Sequence, residues 1–170
     1  MSQLTAAAPA AGAPLASLRW TSGSLLLLLR YIEIKIMVTT ASTAGLPQFA
    51  GYVARGMSAN DTGGTAMTMT GNNFKKRTSH GTTAMGDMRW AAAGVLTAGT
   101  RALDNQPFIT CATNIALGST ATALLDLDGP GDHPIVLAQN EGIVFANVTA
   151  LTAGIYQYTI NVAWAEVPVY

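Results

Sequence analysis

The residues with side chains capable of chemistry are few and widely separated. The two histidines, His80 and His133, have no second imidazole and no cysteine at metal-binding spacing. A zinc site needs four ligands, at least two of them closely spaced. His133 lies between Asp132 and Pro134, and His80 lies in a Gly/Ser/Thr stretch; both read as loop residues. Cys111, the single cysteine, sits beside Thr110 and Ala112 and reads as a small buried thiol, which also rules out an internal disulfide. Asp126, Asp128 and Asp132 invite a calcium reading, but the Glu that closes an EF-hand loop is missing, so they read as solvated loop acids. Glu33, Glu141 and Glu166 are too scattered to nominate a glycosidase pair. No Gly-x-Ser-x-Gly elbow is present, and Gly63-Gly64 lacks the dinucleotide or Walker arrangement and reads as a turn. The sequence predicts no catalysis, no cofactor and no metal.

The basic triplet Lys75-Lys76-Arg77 has to be weighed against the whole charge balance. Nine Lys and Arg cancel nine Asp and Glu, and charged residues make up only 11% of the 170, against about 25% in an ordinary soluble domain. Without a basic excess or interleaved aromatics, no nucleic-acid face is expected. The triplet reads as a solvated or salt-bridging loop, and any partner it touches should be acidic protein. A hydrophobic content of 49% excludes a disordered chain. Leu25 to Val38 is broken by Arg30, Glu33 and Lys35 and falls short of the roughly 20 apolar residues of a membrane span, so no membrane is expected. Ala6 to Ala16 is small and Pro-punctuated, with no basic segment before it, unlike a secretory leader.

The elements that would carry these residues have mostly a period of two. Ile32, Ile34 and Ile36 alternate with Tyr31, Glu33 and Lys35, while Leu25 to Leu29 does not alternate and reads as buried on both faces. Gln48 to Arg55, Thr65 to Thr70, Phe108 to Leu117 and Thr122 to Leu127 are predicted strands; Asp87 to Leu96 fits a strand or a short helix. Pro134 to Ala138 and Gly142 to Val148 are predicted as the arms of a hairpin joined at Gln139-Asn140-Glu141-Gly142. Tyr156, Tyr158, Ile160, Val162 and Trp164 share one face of a closing strand. Leu96-Thr97-Ala98-Gly99 recurs as Leu151-Thr152-Ala153-Gly154, which suggests two similar turns leading into strands. The pattern predicts an all-β fold, an antiparallel β-sandwich or jelly roll, as a single domain over 15–170. Residues 1–14 read as an Ala/Pro-rich arm, flexible or ordered only on a partner.

Several stretches resemble small β-rich virion structural proteins of tailed bacteriophages. They are Ser58 to Thr65, Thr70 to Asn73, Met85 to Arg89, Leu96 to Arg101, Pro134 to Gly142 and the closing Asn161 to Glu166. The resemblance spans roughly Leu25 to Val167 and leaves out the arm. It implies a capsid decoration (cement) protein on the outer capsid surface, made in the bacterial cytoplasm, with two partners: the major capsid protein and itself, as homotrimer or homodimer. Leu4, Pro9 and Pro14 of the arm and Lys75, Lys76 and Arg77 are the candidate contact residues. Trp20, Trp90, Trp164 and Tyr170 are anchors if they reach an interface and core residues otherwise. The alternative is a tail, fibre or adaptor component that binds a host-surface glycan.

Overall fold

The computed structural model describes residues 2–43, 45–67, 69, 81, 83, 85–92, 94–129 and 133–168. Among these residues every regular element is a strand. They are β1 (Ser2–Ala7), β2 (Pro14–Trp20), β3 (Leu25–Thr40), β4 (Gln48–Arg55), β5 (Thr65–Ala66), β6 (Met85–Trp90), β7 (Ala102–Leu103), β8 (Ile109–Ala112), β9 (Thr120–Asp126), β10 (Ile135–Leu137), β11 (Glu141–Asn147) and β12 (Ile155–Pro168). They form two antiparallel sheets. In one, the order is β1-β12-β3-β10, with β9 also on β3; in the other it is β5-β6-β2-β11-β4-β7, with β8 also on β4. The predicted all-β, antiparallel two-sheet architecture is what the chain adopts.

The long pair β3–β12 shows how alternation builds one wall of the core. Ile32, Ile34, Ile36 and Val38 point inward, opposite Tyr156, Tyr158 and Ile160 of β12, and all are buried. The facing sheet contributes Leu18, Trp20, Phe49, Val53, Ile143 and Phe145 to the same cluster. Phe49 meets Tyr158 edge to face at 4.3 Å between ring centroids, a favoured geometry for an aromatic pair. Trp20 is fully buried and satisfies its indole N–H on the Leu25 carbonyl, 2.7 Å away. The hydroxyls of Tyr156 and Tyr158 are buried without a hydrogen-bond partner among the described residues.

The run Leu25 to Leu29 is resolved by a bulge. Ala163 pairs with Tyr31 but Trp164 pairs with Leu29, so Arg30 is an extra residue on β3. A bulge shifts the side-chain phase by one. Leu27 and Leu29 therefore point inward with the isoleucines and are fully buried. Leu26 and Leu28 face out, half-buried, so the run is not buried on both faces as its composition suggested.

One further expectation is corrected. The chain does not form a hairpin at Gln139 to Gly142: β10 pairs with β3 and β11 pairs with β2 and β4, so this turn carries the chain between sheets. Leu137, fully buried, anchors one side of the crossing, and Asn140, at φ 63°, reverses the backbone. Residues 2–14, within the segment read from the sequence as an arm, lie against their own chain in this structure. β1 runs antiparallel along β12 from Ser2↔Ile160 to Ala7↔Ile155, and Pro14 already opens β2. The physical reason is that backbone hydrogen bonds to a long neighbouring edge do not require bulky side chains.

Candidate interaction surface

The two sheets differ on their outward faces. On the β2–β11–β4 sheet, Val144, Ala146 and Ala54 point away from the main core yet are buried, forming a second cluster with Met57 and Tyr52. The cover is the chain's own loop after β4. A Cβ on Gly142 would meet the Met57 sulfur at 2.8 Å, which places Met57 directly over β11. The Met57 amide donates to the Asn140 carbonyl at 2.6 Å. Arg19, on the outer side of β2, bridges the loop and the crossing turn: its Nη1 donates to Asn60 Oδ1 at 2.8 Å and its Nη2 to Asn140 Oδ1 at 2.9 Å.

A buried ion pair closes this cover. Asp61 and Arg101 are in contact, with side chains 0% and 5% exposed respectively. Asp61 Oδ1 also accepts the Gly99 amide at 2.8 Å, and Thr62 and Thr97 exchange backbone bonds of 2.9 and 3.0 Å. Burial lowers the Arg101 pKa from its usual value. Two glycines make the closure sterically feasible. A Cβ on Gly99 would meet the Asn60 carbonyl at 2.4 Å, and one on Gly64, at φ 59°, would meet the Trp90 carbonyl at 2.2 Å. The stretches Ser58 to Thr65 and Leu96 to Arg101, distant in the sequence, are thus brought together as two halves of one clasp.

On the β12–β3–β9/β10 sheet the outward face divides into two halves. The polar half holds Thr122, Lys35 and Thr159 in one row and Leu124, Glu33 and Asn161 in the next. Glu33 accepts from Lys35 at 3.0 Å and from the Asn161 amide at 2.6 Å, and these two bonds, Lys35 first, lower its pKa. The other half is apolar: Val136, Leu28 and Ala165 form one row, and Leu26 and Val167 the next. Val136 is 43% exposed, and Leu26, Leu28, Ala165 and Val167 are half-buried. Arg30, in the bulge, is turned out to pair with Asp128 at the border.

Of the candidate contact residues, Leu4, Pro9 and Pro14 are described. Leu4 lies opposite Tyr158 in register. Pro9 and Pro14 are buried, and each carbonyl is taken up by one copy of the Leu-Thr-Ala-Gly echo: the Leu151 amide donates to Pro9 at 3.1 Å and the Leu96 amide to Pro14 at 2.8 Å. The echo therefore has a structural role, as two turns that pin the segment before β2. Buried Asn147 adds to it, its side-chain amide donating to the Pro9 carbonyl at 3.0 Å and the Ala10 carbonyl at 3.2 Å. Lys75, Lys76, Arg77, His80, Asp132 and Tyr170 lie outside the described residues.

Trp20 is core; Trp90 and Trp164 pack partly buried against it. Cys111 is buried in β8, with its thiol pKa raised by desolvation. Asp126 serves its own loop by accepting the Asp128 amide at 3.1 Å. Among the described residues no three His, Cys, Asp or Glu side chains gather as a metal site, and no helix is long and apolar enough to cross a membrane.

Sequence reasoning missed two features. The Asp61–Arg101 pair joins residues far apart in the chain, and its only local signal is an Asp and an Arg inside otherwise uncharged turns. The outward leucines were hidden by the bulge, although Arg30 beside an apolar run was a signal that the phase changes there. The fold and surface together define an all-β, two-sheet protein with one self-covered face and one open face. No protein-family model, curated protein or solved structure matches the chain.

Proposed function

We propose that this protein is a non-catalytic structural component of a bacteriophage particle, a capsid decoration protein that docks on the major capsid protein and stabilises the assembled shell. The observation that carries the reading is the apolar half of the open sheet face, where Leu26, Leu28 and Val136 stand outward on strands whose inner residues already fill the core. A charge-poor face of this kind loses little on desolvation and gains on burial against a shell. Binding only to the assembled lattice would stabilise the shell by mass action. The sequence resemblance to small virion proteins points the same way.

The experiment is a shell-binding assay with the purified chain, paired with protein quantification of purified particles. Binding to preformed shells, in a copy number commensurate with the capsomers, is the expected result. Leu28→Asp, which adds a charge to the apolar half without touching the core, should weaken shell binding at least tenfold. A few copies per particle, and no shell binding, would move the protein to the tail or a fibre.

A further inference from the structure

The first strand is held differently from the segment that follows it. β1 pairs with β12 and with no second strand among the described residues. Immediately after it, Ala8 sits at φ 41°, in the left-handed region that an alanine side chain disfavours. From Pro9 onward the backbone is fixed. The Pro9 carbonyl accepts from Leu151 at 3.1 Å and from the Asn147 side chain at 3.0 Å. Gly12 donates to the Asn147 carbonyl at 2.8 Å, and the Asn147 amide donates to Ala13 at 3.0 Å. The chain thus leaves a buried, immobilised anchor through one strained residue and then lies along an edge by backbone pairing.

We propose that β1 is an exchangeable strand: it leaves its own β12 and adds, antiparallel and in the same register, to the β12 of a second copy of this chain. The exchange remakes every hydrogen bond of the β1–β12 ladder, so the pairing itself does not oppose it. What changes is the hinge. In the exchanged form Ala8 is free to take an extended conformation, and relief of its strain favours the intermolecular state; a short strained hinge is a recognised route to swapping. The occupant is set by the register. β1 matches Ile155 to Ile160 residue for residue, and a second copy presents the same stretch. This inference concerns the purified chain alone and does not depend on shell docking.

The test uses two single variants of the full chain, Gln3→Cys and Thr159→Cys, at positions directly opposite in the ladder. Cys111 is buried and stays in place. The variants are mixed, unfolded in urea, refolded together and oxidised, and the products are resolved by denaturing electrophoresis and mapped by mass spectrometry. An interchain link between positions 3 and 159 is the expected result. Ala8→Gly, which removes the strain in the closed form, should lower the linked fraction about fivefold, and Ala8→Pro, which cannot hold a positive φ, should raise it. Co-refolding that yields no interchain 3–159 link, while the Gln3→Cys/Thr159→Cys double variant forms the link within one chain, overturns the proposal. A linked fraction that Ala8→Gly leaves unchanged removes the hinge as its cause and overturns it equally.

Discussion

On the outside of the β2–β11–β4 sheet, Val144 and Ala146 are buried beneath Met57 and a loop locked by Asp61 and Arg101. On the outside of the β3–β12 sheet, Leu26 and Leu28 remain half-exposed beside Val136. The first face and half of the second are apolar, and the described residues cover only the first. The difference teaches where self-sufficiency ends in this molecule. The covered face costs a buried ion pair and two glycines with no room for a side chain, whereas the apolar half of the other sheet stays partly exposed.

The comparison is broken most severely by removing one half of the clasp. Arg101→Met leaves Asp61 buried and uncompensated, which should cost about 3–5 kcal/mol of stability, measured as a fall in the urea midpoint at unchanged slope. Asp61→Leu combined with Arg101→Met should cost less than the two single changes added, because neither charge is then stranded. Additive losses would show that the pair is not the lock.

The leucine run sharpens the comparison within a single strand. Leu27→Ala removes a fully buried side chain and should cost about 2–5 kcal/mol. Leu28→Ala, one residue away and outward, should cost less than about 1 kcal/mol, since a half-buried side chain leaves no sealed cavity. Equal losses in urea titrations of the two variants would mean that Leu28 is core and the open face is not open.

The smallest effect concerns the inner side of the open sheet and depends on pH. Burial raises the Tyr158 pKa, with neighbouring Tyr156 adding to the shift. The folded chain therefore keeps a proton that the unfolded chain gives up near pH 10. The stability contributed by the neutral hydroxyl is fully present below that pH and is lost as the pH rises above it, by at most about 1.4 kcal/mol per unit. Tyr158→Phe should flatten this alkaline decline in urea midpoints taken between pH 8 and about pH 11. At neutral pH the same change should be close to neutral, because the hydroxyl it deletes has no partner among the described residues.

How far the sequence foretold this arrangement depended on how local the determining contacts are. β4 has the predicted bounds, and the alternation from Tyr156 to Trp164 correctly gave the inward face of β12, because period-two patterning is written in adjacent residues. Cys111 likewise lies buried in a strand. The crossing after Leu137 was not legible: a tight turn between two short apolar runs looks the same whether its arms pair with each other or with strands far away. Nor was the role of Leu96 and Leu151, whose amides find the carbonyls of Pro14 and Pro9 only once the fold has formed. The apolar half of the open face was hidden for a third reason, since a single extra residue inverted the pattern midway along β3.

That extra residue gives β3 a reading frame. With Arg30 present, the residues before and after it are out of step, and both sets present their correct sides. Delete it and β3 becomes a plain period-two run in which Leu27, Leu29, Ile32 and Ile34 still share the inward side, so the pairing with β12 is kept and what goes is the outward Arg30 with its contact to Asp128. The point between Leu29 and Tyr31 is thus where β3 takes up a change of one residue in length with its core face unchanged on either side.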